Sequence, residues 1–166
     1  MRIFLIDMPG SGKTTIARQL AKDINYTYVD LDGMIEKNAH LFIEEIFEKY
    51  GEKKFRELES EALGLLPEGD LVVACGGGVV TVKSNKELME GIKFYLDTDL
   101  EVIKKRLETD YHRPLLKQTT LEQLFDDRYF KYQDFADAII SNNFDVETTV
   151  KVIENYLRQE AKKWIF

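Results

Sequence analysis

Asp7-Met8-Pro9-Gly10-Ser11-Gly12-Lys13-Thr14-Thr15 is the stretch that decides the fold. It follows an apolar run at 3–6 and opens a segment of helical period beginning Ile16-Ala17-Arg18. A glycine-rich turn between a buried strand and a helix gathers backbone N–H groups and the positive end of a helix dipole at one point, which is the chemistry of a phosphate cradle. In the pattern GxxxxGK[ST] the lysine reaches the β- and γ-phosphates and the next hydroxyl ligates Mg²⁺. The reading therefore assigns Gly10, Ser11, Gly12, Lys13, Thr14 and Thr15 to nucleotide, Lys13 also to catalysis and Thr14 also to the metal. ATP and Mg²⁺ are the implied co-substrate and cofactor.

Asp7 occupies the first glycine position of that pattern. A left-handed backbone there would cost an aspartate about 1–2 kcal/mol. A carboxylate turned into the loop would repel phosphate or compete for Lys13. On this reading Asp7→Gly is expected to tighten ATP binding, and a nucleotide-binding module with weak catalysis is one alternative for the chain.

Working outward, further short apolar runs lie at 28–31, 71–75 and 92–96, and a fifth at 136–140 ends in Ser141-Asn142-Asn143. Three of the runs are nearly continuous rather than alternating, as in strands covered on both faces of a parallel sheet. Amphipathic segments separate them, at 12–23, 51–66, 100–108, 121–134 and 146–163. In the second of these Phe55, Leu58, Ala62 and Leu65 form one stripe. Strand and helix alternate, which predicts an α/β fold with a doubly wound parallel sheet and ligands at the C-terminal ends of the strands.

With 166 residues and 44% hydrophobic content, the chain forms one domain over 1–166 rather than two. A formal net charge of −7 without a Lys/Arg block argues against nucleic acid and points to a small substrate. Cys75 is the single cysteine, so no intrachain disulfide forms, and its apolar surroundings make it a buried bystander. No signal peptide fits the N-terminus, and nothing approaches the roughly 20 apolar residues of a membrane span. A cytoplasmic protein with no membrane partner is expected. His40 and His112 have no partner pattern and receive no role.

Chemistry beyond the loop is also visible. Asp30 and Asp32 follow the second strand, and two residues apart in extended chain they face the same side. Arg56 and Glu59, three apart, are neighbours on a helix face. Gly76-Gly77-Gly78 ends the third strand and lets a substrate approach bare backbone.

These motifs in this order, with an RPLL segment at Arg113 and a late arginine at Arg128, resemble the shikimate kinase family over nearly the whole chain. The resemblance implies a three-layer sandwich around a five-stranded parallel sheet of the nucleoside-monophosphate-kinase type, a substrate-binding segment at about 31–60 and a mobile lid at about 108–120. It implies ATP-dependent phosphorylation of shikimate by a monomer in the pathway to aromatic amino acids. Residue by residue, it makes Asp30 the Mg²⁺-associated acid and Asp32 the catalytic group at the accepting hydroxyl. Arg56 and Arg128 become the carboxylate grip, with Glu59 fixing Arg56. Gly76, Gly77 and Gly78 become main-chain substrate contacts, Arg113 the catalytic lid arginine and Arg106 the adenine contact. The pattern RxPLY is eroded here to Arg128-Tyr129-Phe130-Lys131-Tyr132. For Arg56 a surface ion pair, for Arg106 a solvated charge and for Phe55 ordinary packing are the alternatives. A kinase for another small polyol or sugar acid, such as gluconate, is the alternative for the whole.

Overall fold

Ile3, Phe4, Leu5 and Ile6 are all fully buried, so β1 (Arg2–Ile6) is covered on both faces. Because successive side chains in a strand point to opposite faces, Ile3 and Leu5 enter one core with Val72, Phe94 and Leu96, while Phe4 and Ile6 enter another with Val73 and Tyr95. The first core is closed by Ile16 and Leu20 of α1 (Lys13–Ile24) and by Val150 and Ile153 of α7 (Val146–Lys162). The second is closed by α2 (Leu31–Ala39), α3 (Ile43–Gly64), α5 (Leu100–Leu107) and α6 (Leu121–Phe135) through Ile35, Phe55, Ile103 and Phe135. Each such side chain contributes about 1.5–3 kcal/mol by leaving water. The result is the expected three-layer sandwich.

The computed structural model describes residues 1–108 and 119–163. Its five strands, with β2 (Thr27–Asp30), β3 (Leu71–Ala74), β4 (Ile92–Asp97) and β5 (Ala138–Ser141), are all parallel in the order β2-β3-β1-β4-β5. The chain leaves β1 toward one edge, returns to β3, and then continues on the other side at β4. The turns after β1 and β3 therefore lie side by side, joined where Cys75 N–H donates to the Leu5 carbonyl at 3.1 Å. That reversal opens the crevice in which such sheets bind ligands.

Two expectations change. Residues 31–50, for which the sequence suggested no helix, form α2 and the first half of α3. The helix expected at 51–66 is the second half of α3, and the halves meet at Gly51 (φ 82°, ψ 175°). The stripe is also rotated: Leu65 caps the helix and is 60% exposed, while Phe55, Arg56, Glu59, Ala62 and Leu63 are buried. A 3-10 turn (Val79–Thr81) and a short helix, α4 (Asn85–Leu88), complete the elements among the described residues. The lid expected at 108–120, with His112 and Arg113, lies outside the described residues apart from its two ends.

Candidate active site

The phosphate loop begins where β1 ends. Gly10 (φ 83°) and Gly12 (φ 87°) are left-handed, a conformation that glycine alone adopts without a Cβ penalty. A Cβ on Gly10 would also lie 2.6 Å from Leu107 Cγ, so the end of α5 closes down on the loop. Gly12 caps α1, and Ile16 N–H donates to its carbonyl at 3.1 Å. Lys13 folds back over the loop, its ammonium donating to the carbonyls of Asp7 (2.7 Å) and Met8 (2.8 Å) and to Ser11 Oγ (3.2 Å).

Beside this loop is a cleft of about 270 Å³. Gly10, Ser11, Gly12, Lys13 and Thr14 line its donor side, Asp30, Asp32, Gly76 and Gly77 its other side, and Arg106 its rim. Arg106 is half-buried and donates to the Ser11 carbonyl and, at 3.5 Å, to the Phe144 carbonyl, so it is more than a solvated charge. Thr15 is exposed on the first turn of α1 and does not line the cleft.

Asp7 differs from both fears raised by its sequence position. Its backbone is not left-handed. Its carboxylate turns away from the cleft, accepting from Met8 N–H at 2.6 Å and from the Thr98 hydroxyl at 2.7 Å. It neither faces phosphate nor takes Lys13 as a side-chain hydrogen-bond donor, because Thr98 at the end of β4 supplies a buried partner.

The two acids after β2 reach one cleft by different backbones. Asp30 is the last residue of β2 and the extended N-cap of α2 (φ −96°, ψ 111°), whereas Asp32 sits in the first helical turn. The extended-chain argument thus fails at Asp32. Leu31, buried between them, sends its side chain to the core and leaves both acids on the cleft side.

Arg56 and Glu59 are buried together on α3. Arg56 Nη1 donates to Glu59 Oε1 at 2.9 Å and Nη2 to Glu52 Oε1 at 3.4 Å. Among the described residues Arg56 Nε and Glu59 Oε2 are buried without a hydrogen-bond partner, an arrangement that is costly unless a ligand completes it. Burial pushes the Glu59 carboxyl from 4.5 to about 7, with Arg56 pulling it back and Asp32 adding to the rise. Phe55 packs on Phe47 at 4.9 Å between centroids, which makes it core, and the Arg56 guanidinium lies 5.0 Å from its ring.

The triple glycine matters for space, not for backbone angles, since none of its members is left-handed. A Cβ on Gly78 would fall 2.1 Å from Arg56 Nη2, one on Gly77 3.2 Å from Arg128 Nη1, and one on Gly76 2.9 Å from Asp32 Oδ1. The turn therefore gathers Asp32, Arg56 and Arg128 around bare backbone. Arg128 is buried and lines a second cleft, about 400 Å³, with Glu52 and Thr81.

Tyr132 was not anticipated. One turn beyond Arg128 on α6, it is fully buried, stacks on Tyr95 at 5.1 Å and donates its hydroxyl to the Gly77 carbonyl. Arg128 and Tyr132, the two ends of the eroded RxPLY pattern, are the buried ones, while Phe130 and Lys131 between them are exposed. Thr98 and Asn142 were also missed. Both stand at C-terminal strand ends, where this fold places ligands, and that position was the available signal. Cys75 is buried and its thiol is pushed far up by burial, which leaves it inert.

Among the described residues no three His, Cys, Asp or Glu side chains cluster as a metal cage. Mg²⁺ that arrives with a nucleotide keeps several waters and takes only one or two protein groups. Thr14 and Asp30, on facing sides of one cleft, fit that demand.

Comparison with known proteins agrees with this geometry. The family model described as shikimate kinase matches residues 9–159. A shikimate kinase from Sulfurihydrogenibium is 38% identical, the match covering 97% of this chain and 98% of that one. One from Geobacter sulfurreducens is 38% identical, covering 95% and 91%. Among solved structures, shikimate kinase from Acinetobacter baumannii in complex with shikimate superposes with a TM-score of 0.88 at 32% identity, over 99% of this chain and 95% of that one. The Aquifex aeolicus enzyme gives 0.84 at 34% identity, over 97% and 98%. With its phosphate loop, paired acids and glycine turn in one crevice, the chain belongs to the shikimate kinase family of ATP-dependent phosphotransferases.

Proposed function

We propose that this chain transfers the γ-phosphoryl group of ATP to the 3-hydroxyl of shikimate, giving ADP and shikimate 3-phosphate. The observation that carries the reading is the convergence of Asp32, Arg56 and Arg128 on the triple glycine, across one crevice from the phosphate loop. Two buried arginines suit a small carboxylate, because a planar guanidinium donates paired hydrogen bonds. Arg56 is held for this by Glu59, and Arg128 stands at Gly77.

Asp32 accepts a hydrogen bond from the attacking hydroxyl. In a loose phosphoryl-transfer transition state its chief task is orientation, with the proton taken late. Lys13 moves from the loop carbonyls to the β- and γ-phosphates, and loop N–H groups hold the phosphate oxygens. Thr14 and Asp30, which line one cleft, would hold Mg²⁺. When bound, the ion neutralises charge on the phosphates. Arg106 contacts adenine. The segment at 108–120 is the lid, and Arg113 on it stabilises the transferring group, a contribution of about 10³ or more in rate for such arginines. The protein works as one domain, as a monomer, in the cytoplasm. A lone buried thiol and the lack of a membrane-crossing helix among the described residues support that setting.

The test is an acceptor screen with shikimate, quinate, gluconate and nucleoside monophosphates at one ATP concentration, with and without Mg²⁺. Shikimate-dependent, Mg²⁺-dependent ADP release is expected. Preference for gluconate would replace shikimate as acceptor, and nucleotide binding without any turnover would reduce the chain to a binding module.

A further inference from the structure

Asp7 stands where the phosphate-loop pattern has glycine, yet it is fully buried and built into a polar chain. Its Oδ1 accepts from Met8 N–H at 2.6 Å and its Oδ2 from the Thr98 hydroxyl at 2.7 Å. Asn142 Nδ2 donates to Thr98 Oγ1 at 3.0 Å and to the Ser11 carbonyl at 2.8 Å, and Asn142 Oδ1 accepts from the Thr149 hydroxyl at 2.9 Å. All of these side chains are buried. The donor inventory gives the chain a direction. Asn142 places its two amide protons on Ser11 and Thr98, and Thr98 directs its single proton to Asp7. The ends of β1, β4 and β5 and the first turn of α7 thereby hold the phosphate loop at Met8 and at Ser11.

We propose that Asp7 is a positioning residue for the phosphate loop, fixing Met8 directly and Ser11 through Thr98 and Asn142, and that it takes up a proton when nucleotide binds. The inference rests on the reading of Lys13 as a phosphate-binding group.

Among the described residues Lys13 is the cation whose charge acts on Asp7, and its ammonium is held on the Asp7 carbonyl oxygen. A triphosphate in the loop draws that ammonium away and adds negative charge nearby, and both changes favour the neutral carboxyl. Among the described residues the other titratable groups facing Asp7 give it no replacement cation: Asp97 at the end of β4 is acidic, and the phenols of Tyr95 on β4 and Tyr132 on α6 are neutral. Burial already lifts Asp7 from 3.8 to about 7, against the pull of Lys13, Thr98 and Met8. The proton comes from solvent, and none moves to the nucleotide. The bridge survives protonation by reversing one bond: Asp7 donates to Thr98 Oγ1, and Thr98 turns its proton to the Leu96 carbonyl at 3.4 Å. Nucleotide affinity is therefore expected to rise as pH falls from about 8 to about 6.

The test is calorimetric titration with Mg²⁺ and β,γ-methylene-ATP, in two buffers of different ionisation enthalpy at about pH 8, on wild type, Asp7→Asn, Asp7→Ala, Thr98→Val and Lys13→Ala. Wild type is expected to take up a fraction of a proton that Asp7→Asn does not, and Asp7→Asn to flatten the pH dependence of affinity. Asp7→Ala and Thr98→Val should each weaken nucleotide about tenfold and raise KM for ATP but not for the acceptor, with Asp7→Asn milder than Asp7→Ala. Affinity unchanged in Asp7→Ala and Thr98→Val, or equal proton uptake by Asp7→Asn and wild type, would overturn the proposal. Lys13→Ala separates the two readings: if it binds nucleotide as wild type does, the phosphate-site assignment itself has failed.

Discussion

Arg56 and Glu59 are one helical turn apart on α3, joined at 2.9 Å and buried, Glu59 fully and Arg56 almost so. Breaking such a pair strands a charge. The pair also fixes the orientation of the guanidinium.

Arg56→Lys keeps the charge and loses the fork. Steady-state kinetics should show KM for shikimate raised by about ten- to a hundredfold with KM for ATP nearly unchanged, the range expected for hydrogen bonds to charged groups. An equal rise in both constants would place Arg56 outside the acceptor site.

Gly78→Ala introduces a Cβ 2.1 Å from Arg56 Nη2. The methyl group should displace the guanidinium and reproduce the Arg56→Lys phenotype without touching substrate. In a double-mutant cycle the two changes should be strongly non-additive. Additive losses would show that Gly78 acts on its own.

Tyr132→Phe removes the donor to the Gly77 carbonyl. Denaturant unfolding should show about 1–2 kcal/mol lower stability. Acceptor KM should rise with it, since the glycine turn loses its anchor. A variant as stable as wild type would mean that water replaces the hydroxyl at no cost.

Glu59 and Asp7 make stability depend on pH. Burial raises them from 4.5 and 3.8, each to about 7. Between those limits the folded chain holds protons that the unfolded chain releases, so stability falls as pH rises toward about 7. Glu59→Gln should reduce that decline, measured by denaturant titrations at about pH 5 and about pH 8. An unchanged slope would show that Glu59 is already ionised in the folded protein.

The sheet and the glycine-rich loop between β1 and α1 were legible because their signals are local. Continuous apolar runs announce doubly covered strands, and the left-handed Gly10 and Gly12 announce the cradle. The paired acids were found for a reason that holds only at Asp30, because α2 starts at the residue after β2 with no loop to mark it. The helical stripe was read one step out of phase, since Leu65 looks like core but caps an ended helix. Thr98, Asn142 and Tyr132 escaped because each works through hydrogen bonds across more than forty positions of sequence, which no window along the chain can display. Asp7 drew notice as a departure, but its burial partner lies 91 residues away.

The rotation of the α3 stripe has an evolutionary consequence. On the proposed roles, the donor side draws on the loop backbone as well as on Lys13, Thr14 and Arg106. Arg56, the proposed acceptor grip, shares its helix with the buried Phe55, Ala62 and Leu63, so retuning it would disturb the layer that face supports. Laboratory selection for a new acceptor should therefore begin at the accessible margin, Glu52 and Thr81, and leave the stripe alone.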